Sequence, residues 1–76
     1  MAVSAYVHVS VETGKTKSTL SRMSRIQGIK SACSVMGPFD IIAVVQAKDL
    51  SGIERIVTGK IQSLPGVRTT MTSLIV

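Results

Sequence analysis

The sequence predicts an α+β domain with a ferredoxin-like β-α-β-β-α-β order, in which a four-stranded antiparallel sheet carries two helices on one face. Three observations support this fold class. Apolar and polar residues alternate at the strand period in several segments, apolar residues recur at the helical period in two others, and Gly or Pro-Gly separates the segments. The chain of 76 residues is too short for two domains, so residues 1–76 are expected to form a single one.

The first half of the chain predicts a strand, a helix and a second strand. Apolar and polar residues alternate over Val3–Val11, and Gly14 ends that strand. Residues 15–27 carry apolar side chains at the three-residue spacing of one helix face: Leu20, Met23 and Ile26. Gly28 follows at the position where a left-handed residue commonly ends a helix. The second strand is predicted over residues 29–36, with one face formed by Ile29, Ser31, Cys33 and Val35.

The third strand is predicted over residues 39–47, after a turn at Gly37-Pro38. It is apolar on both faces: Ile41, Ala43, Val45 and Ala47 point one way, and Ile42 and Val44 point the other way. A register slip of one residue moves every side chain of a strand to the opposite face of the sheet. Such a slip would leave the third strand apolar on both faces, unlike the other strands.

The second helix follows residues that can cap it. Ser51-Gly52-Ile53-Glu54 has the spacing of a capping box, and Asp49 is an alternative cap. Apolar residues then recur at helical spacing: Ile53, Ile56, Val57, Ile61 and Leu64. Gly59 weakens this helix. Pro65-Gly66 ends it, and residues 67–76 are predicted to form the last strand.

The sheet face without helices is predicted to be apolar. Its expected members are Tyr6, His8, Ala32, Met36, Ile42, Val44, Leu74 and Val76. A domain this small usually needs a disulfide, a metal or a partner for stability, and one cysteine cannot form an internal disulfide. Burying an apolar patch contributes about 25 cal/mol per Å². We therefore expect a homodimer whose sheets pack face to face.

Composition argues against several classes of protein. The formal net charge of +5 raises the prior for nucleic acid, but the basic residues are scattered, and two aromatic residues, Tyr6 and Phe39, are too few for a base-stacking platform. The longest apolar run, residues 41–45, is far shorter than the roughly 20 residues of a membrane helix. The N-terminus lacks the pattern of a signal peptide. A lone cysteine fits a reducing compartment, so a cytoplasmic protein without a membrane partner is expected.

No set of residues predicts an enzyme. His8 lies in the middle of a strand, where a packed and hydrogen-bonded interface histidine is a better interpretation than a general base. Cys33 is interpreted as a small core residue. The carboxylates form no recognisable acid–base pair: Glu12, Asp40, Asp49 and Glu54. One histidine and one cysteine cannot build a zinc cage, and neither a metal nor another cofactor is expected.

Two places suggest ligand binding. Asp40 follows Gly37-Pro38-Phe39 and opens an apolar strand, where it either accepts backbone N–H bonds in the turn or holds an ammonium group. Thr70 and Thr72 share a sheet face, and they either reflect strand propensity or offer paired hydroxyls to a carboxylate. An Asp with two Thr residues is a plausible cradle for a zwitterion.

These residues resemble the RAM domain, the amino-acid-sensing domain of the leucine-responsive regulator/asparagine-synthesis regulator (Lrp/AsnC) family. The first landmark is Gly37-x-Phe39-Asp40 followed by Ile41-Ile42-Ala43-Val44-Val45 and then Asp49. The second is Leu64-Pro65-Gly66-Val67-x-x-Thr70-x-Thr72. Ala5-Tyr6-Val7 to Glu12-Thr13-Gly14-Lys15 also fits the first strand and its exit. The resemblance covers nearly the whole chain.

The resemblance implies a dimer that assembles further, to a tetramer and often to an octameric ring, with a free amino acid or related metabolite bound between dimers. It implies that the pocket is lined by Gly37, Pro38, Phe39, Asp40, Thr70 and Thr72. Pro38 stiffens the turn and departs from the family pattern. Full-length members carry an N-terminal helix-turn-helix, whereas this sequence starts with the first strand. We therefore expect a stand-alone form that does not bind DNA directly, with a full-length relative as a candidate partner.

Two other classes stay open. One is a small dimeric α+β-barrel enzyme, similar in topology to antibiotic-biosynthesis monooxygenases, although their cavities are usually lined by aromatic residues or histidines, in which this chain is poor. The other is a basic nucleic-acid-binding module, whose affinity would fall steeply with salt.

Overall fold

The protein forms a four-stranded antiparallel sheet with two helical segments on one face, which confirms the predicted fold class. The computed structural model describes residues 2–76. The elements are β1 Val3–Val11, α1 Thr16–Met23, β2 Ile29–Ser34, β3 Ile41–Ala47, α2 Leu50–Glu54 continued by a π-helical segment Arg55–Ile61, and β4 Val67–Leu74. The strand order β2-β3-β1-β4 places β1 and β3 at the centre of the sheet.

The core lies between the sheet and the helices. Its strand residues come from the central pair, where Val7 faces Ala43 and Val9 faces Ile41 across the β1–β3 ladder. The buried apolar residues are Ala5, Val7, Val9, Val11, Met23, Ile41, Ala43, Val45, Ile53, Val57 and Ile61. Successive side chains of a strand point to opposite faces of the sheet. In β1 and β3 the residues predicted to face the core are therefore the ones that are buried.

Helix α1 ends at Met23 and not at residue 27. After Ser24 the backbone turns more tightly, because the Arg25 and Ile26 N–H groups donate to the Arg22 and Met23 carbonyls, three residues back, at 3.2 and 3.0 Å. Ile26 lies beyond the helix and still packs against the core. The apolar pattern of α1 does not predict that Thr19, a polar residue, is fully buried. The Thr19 hydroxyl donates to the Pro65 carbonyl at 3.4 Å.

The second helical segment begins at the alternative cap. The Asp49 carboxylate accepts a hydrogen bond from the Gly52 backbone N–H at 2.8 Å, so Asp49 and not Ser51 is the N-cap. After Glu54 the helix widens into its π-helical segment, where the Gln62 N–H reaches back five residues to the Val57 carbonyl at 2.9 Å. The resulting element still buries an apolar stripe against the sheet.

Strand β2 corrects one prediction about its faces. Ile29 pairs with Val45, but Ser31 pairs with Val44, so one extra residue is inserted between them. Beyond that bulge, Ala32 faces the core and Cys33 is exposed on the opposite side of the sheet, the reverse of what the sequence predicts. A shift of one residue moves every following side chain to the other face. The strand also ends at Ser34, which leaves Met36 outside it and fully exposed.

Strand β4 corrects a second prediction. Leu74 pairs with Ala5 and therefore lies on the helix-covered face, together with Thr70 and Thr72. Met71 pairs with His8 and therefore lies on the uncovered face, where the sequence predicts Leu74 instead. The strand ends at Leu74, so Val76, also predicted on that face, is exposed beyond it.

Candidate functional site

The uncovered side of the sheet, here called the open face, carries an apolar strip across the strands, with Ser31 beside Val44 and Ser73 beside Tyr6 on the same face. The members of the strip are Tyr6 and His8 of β1, Cys33 of β2, Ile42 and Val44 of β3, and Met71 of β4. Tyr6 lies opposite Val44, and His8 lies between Ile42 and Met71, so the side chains form a continuous row. Tyr6 and Met71 are each 47% exposed. Four predicted members of this face are confirmed: Tyr6, His8, Ile42 and Val44.

The turn over residues 37–40 lies at one end of the open face. The rings of Phe39 and His8 pack against each other in a tilted arrangement, with their centroids 5.4 Å apart and their planes at 53°. His8 Nδ1 is buried and has no hydrogen-bond partner within residues 2–76, so the histidine is packed as expected, but the expected hydrogen bond is missing at this atom. Gly37, Pro38 and Phe39 border a shallow depression of about 360 Å³ beside these rings.

Asp40 ties this turn to β1. Its carboxylate Oδ2 accepts a hydrogen bond from the Val11 backbone N–H at 2.9 Å. Its own N–H donates to the Val9 carbonyl at 2.9 Å, and its carbonyl accepts from the Val35 N–H at 2.8 Å. Of the two roles considered for Asp40, the structure shows the acceptance of a backbone N–H. The bonded N–H belongs to Val11, where the β1–β4 register shifts and the regular ladder is interrupted.

Thr70 and Thr72 lie elsewhere, in a groove between β4 and the second helical segment. This β4 groove has a volume of about 460 Å³. Buried Ile53 and Val57 line it from the helix side. The other residues that line it are Leu50, Glu54, Thr58, Gln62, Thr70, Thr72 and Leu74.

The polar end of the β4 groove is organised by one hydrogen bond. Gln62 Nε2 donates to Thr70 Oγ1 at 2.8 Å. Because the Thr70 oxygen accepts this bond, its own hydroxyl proton stays available for another acceptor. Among residues 2–76, Glu54 is the one charged side chain that lines the groove.

The two parts of the predicted site do not meet within one chain. The turn at residues 37–39 borders the open face, whereas Thr70 and Thr72 face the helices on the opposite side of the sheet. A pocket that uses both parts must therefore combine different copies of the chain. The sequence interpretation does not include Leu50, Glu54 and Thr58 in the site, although their spacing of four residues places them on one helix face.

Within residues 2–76, no group of three or more His, Cys, Asp or Glu side chains is arranged to hold a metal ion. In the same part of the chain, no helix has the length and apolar character needed to cross a membrane.

Comparison with protein families gives one match over nearly the whole chain. A family model described as the Lrp/AsnC ligand binding domain matches residues 4–76. A homocitrate synthase from Saccharolobus islandicus is 40% identical over 60 residues, which is 79% of this chain and 13% of that enzyme. The chain therefore spans about an eighth of the length of the curated relatives that it matches.

Solved structures share the fold. A protein from Thermus thermophilus superposes with a TM-score of 0.93 at 28% identity, covering 97% of this chain and 92% of the other. A transcriptional regulator from Neisseria meningitidis, solved as a complex with L-Met, superposes with a TM-score of 0.86 at 16% identity. That match covers 97% of this chain and 49% of the regulator.

Proposed function

The chain belongs to the family of Lrp/AsnC ligand-binding domains, and we propose that it senses a free amino acid and assembles through its open face. The family is one of regulatory ligand-binding modules, and its match extends over residues 4–76. The observation that carries the proposed assembly is the apolar strip of the open face, because an exposed apolar patch usually marks an interface.

The open face supports a homodimer. Tyr6 and Met71 expose nearly half of their surface next to half-buried Ile42 and Val44. A contiguous apolar row of this kind usually marks an interface, and burying it stabilises a small domain. In a two-fold dimer the same patch meets itself, so each sheet covers the other.

The separation of the two binding elements supports a ligand site between copies. We infer that residues 37–40 of one copy and Thr70 and Thr72 of another face the same ligand when dimers assemble further, since the two elements lie on opposite sides of the sheet in one chain. A ligand bound there stabilises the assembly, and the assembly raises the affinity for the ligand by the same factor. This coupling would turn the concentration of an amino acid into a change of oligomeric state, up to the tetramer or octamer expected from the family.

Light scattering combined with thermal unfolding tests this function. The protein should be larger than one chain at micromolar concentration, and one or a few amino acids in a panel of all protein amino acids should raise both its mass and its melting temperature. A ligand at a hundred times its Kd stabilises the folded state by about 2.7 kcal/mol. A particle of single-chain mass that responds to no amino acid at millimolar concentration would refute the proposal.

The match to homocitrate synthases favours a second kind of partner. In those relatives the matching segment is a small part of an enzyme, so a module of this family occurs joined to a catalytic chain. We therefore propose an enzyme as the alternative to a DNA-binding relative. Sedimentation of the purified protein with one full-length family regulator and, separately, with one homocitrate synthase distinguishes the two, because only the true partner should shift the boundary.

A further inference from the structure

We propose that the protein has a further ligand site, beside the edge strand β2, that binds a small molecule through two adjacent phosphate groups. The site, here called the basic edge, consists of two adjoining depressions of about 340 and 460 Å³. The first carries Arg55 and Lys60, and the second carries Lys30 and Lys48. The two depressions share four lining residues: Gln27, Gly28, Gln46 and Ala47. The proposal does not depend on the sensing of an amino acid.

The bulge in β2 supplies one of these cations. The register shifts between Ile29 and Ser31, so Lys30 is the extra residue that has no partner across the ladder. Bulges are over-represented next to functional sites, where they change the direction of a side chain. Lys30 accordingly borders the same depression as Lys48, which directly follows the end of β3.

The π-helical segment Arg55–Ile61 supplies two more cations. In an α-helix of 3.6 residues per turn, residues five apart lie about 140° apart around the axis. In a π-helix, hydrogen bonds join residues five apart, as between the Gln62 N–H and the Val57 carbonyl, so such residues lie on the same side. Arg55 and Lys60 are five residues apart, and both border the first depression. Like the bulge, this rare helical form is frequent at functional sites.

The basic edge concentrates positive charge. Arg55 also borders a depression on the outer side of the helix together with Glu54, so its charge is shared with that carboxylate. Asp49 follows Lys48 in sequence, but its carboxylate accepts the capping hydrogen bond of α2 at 2.8 Å. Among residues 2–76, none of the acidic side chains lines either depression of the basic edge: Glu12, Asp40, Asp49 and Glu54. The two depressions therefore favour an anionic ligand.

The arrangement of the cations fits a diphosphate. Two cations at each depression match the charge of about −1.5 to −2 that a phosphate group carries at pH 7. Because the depressions share a wall, two directly joined phosphate groups can occupy both. A single-stranded nucleic acid fits less well, because its bases stack on aromatic side chains. Within the described part of the chain, neither Tyr6 nor Phe39 lines the basic edge.

Isothermal titration calorimetry at constant ionic strength, with pyrophosphate, inorganic phosphate and citrate as probes, tests the proposal. We expect pyrophosphate to bind at least about tenfold more tightly than the other two, since it alone places a phosphate group in each depression. The ratio of the affinities for ADP and pyrophosphate then distinguishes a nucleoside diphosphate from free diphosphate as the source of the group. Citrate that binds as tightly as pyrophosphate, a short DNA duplex that binds more tightly, or pyrophosphate that does not bind overturns the proposal.

The substitutions Lys30→Gln and Lys60→Gln test the two depressions separately. Each should weaken pyrophosphate binding by about tenfold, because each removes a hydrogen bond between charged groups. Both lysines are exposed, so the fold should be preserved, which far-UV circular dichroism checks. Lys17→Gln is the matched control, because it removes the same charge from an exposed lysine of α1 that borders neither depression. An equal loss of affinity in all three variants would show that net charge alone attracts the ligand, and would overturn the site.

Discussion

The two faces of the sheet carry the same kinds of apolar residue on β3 but differ in how far these residues are buried. On β3, Ile41 and Val45 are completely buried under the helices, whereas their neighbours Ile42 and Val44 lie half-buried on the open face. Composition alone does not distinguish the faces, since each carries Ile and Val. The difference shows that the helices cover one face only and leave the other face partly exposed in a single chain.

The largest expected effect comes from placing a charge on either side of β3. Val45→Asp should prevent folding, because an unpaired carboxylate cannot be accommodated in the core without a cost of several kcal/mol. Val44→Asp should keep the fold and reduce the mass to that of one chain. Circular dichroism and light scattering on both variants check this. Retention of the wild-type mass by a folded Val44→Asp protein would show that the open face is not the interface.

Truncation of the neighbouring isoleucines should give the next largest effect. Ile41→Ala should lower the free energy of unfolding by about 2–5 kcal/mol at any protein concentration, because it leaves a cavity in the core. Ile42→Ala should cost less at low protein concentration, and its cost should grow with concentration, because the lost contacts belong to the dimer. Urea unfolding at two protein concentrations measures both. An equal cost for both variants that does not depend on concentration would contradict this difference between the faces.

A smaller effect is expected at the end of the open face. Asp40→Ala should lower the free energy of unfolding by about 1–3 kcal/mol, because the partly buried Val11 N–H loses its acceptor. It should also abolish the amino-acid response, because Asp40 belongs to the proposed ligand site. Asp49→Ala, which removes the cap of α2, serves as a control that lowers stability by about 1 kcal/mol and keeps the response. A response that persists in folded Asp40→Ala protein would remove Asp40 from the site.

The smallest effect is a change of reaction rate at Cys33. This thiol is exposed on the open face of a single chain, so a second sheet packed there should shield it. We expect a maleimide reagent to modify wild-type protein more slowly than the Val44→Asp variant. Mass spectrometry over time compares the two rates. The same rate for a dimeric wild type and a monomeric variant would place Cys33 outside the interface.

The edge strands show where prediction from sequence failed. In the central strands the alternation is uninterrupted, and residues such as Val7 and Ile42 lie on the faces predicted for them. In β2 the extra residue before Ser31 exchanges the faces of the residues that follow it. Ala32 therefore faces the core, and Cys33 lies on the open face. The position of a bulge depends on the pairing partner and leaves no periodic signal in the strand itself.

The candidate site was predictable in its parts and not in its arrangement. The turn ending at Asp40 and the pair Thr70 and Thr72 were recognised from their motifs, but motifs do not say which face of a sheet each occupies. Glu54 was assigned to a capping box, although Asp49 caps the helix and Glu54 borders the β4 groove. Both Asp49 and Ser51 have side chains able to cap this helix, and the structure shows that Asp49 does so.

By itself, the sequence determined the order of the elements, the apolar character of both faces of β3 and the family, because periodicity and turn residues act over a few positions along the chain. Only the tertiary structure decided the register of the edge strands, the open-face position of Met71 and the separation of the turn from the β4 groove. Those features depend on pairing and packing between residues that are distant in sequence, and a local pattern does not encode them.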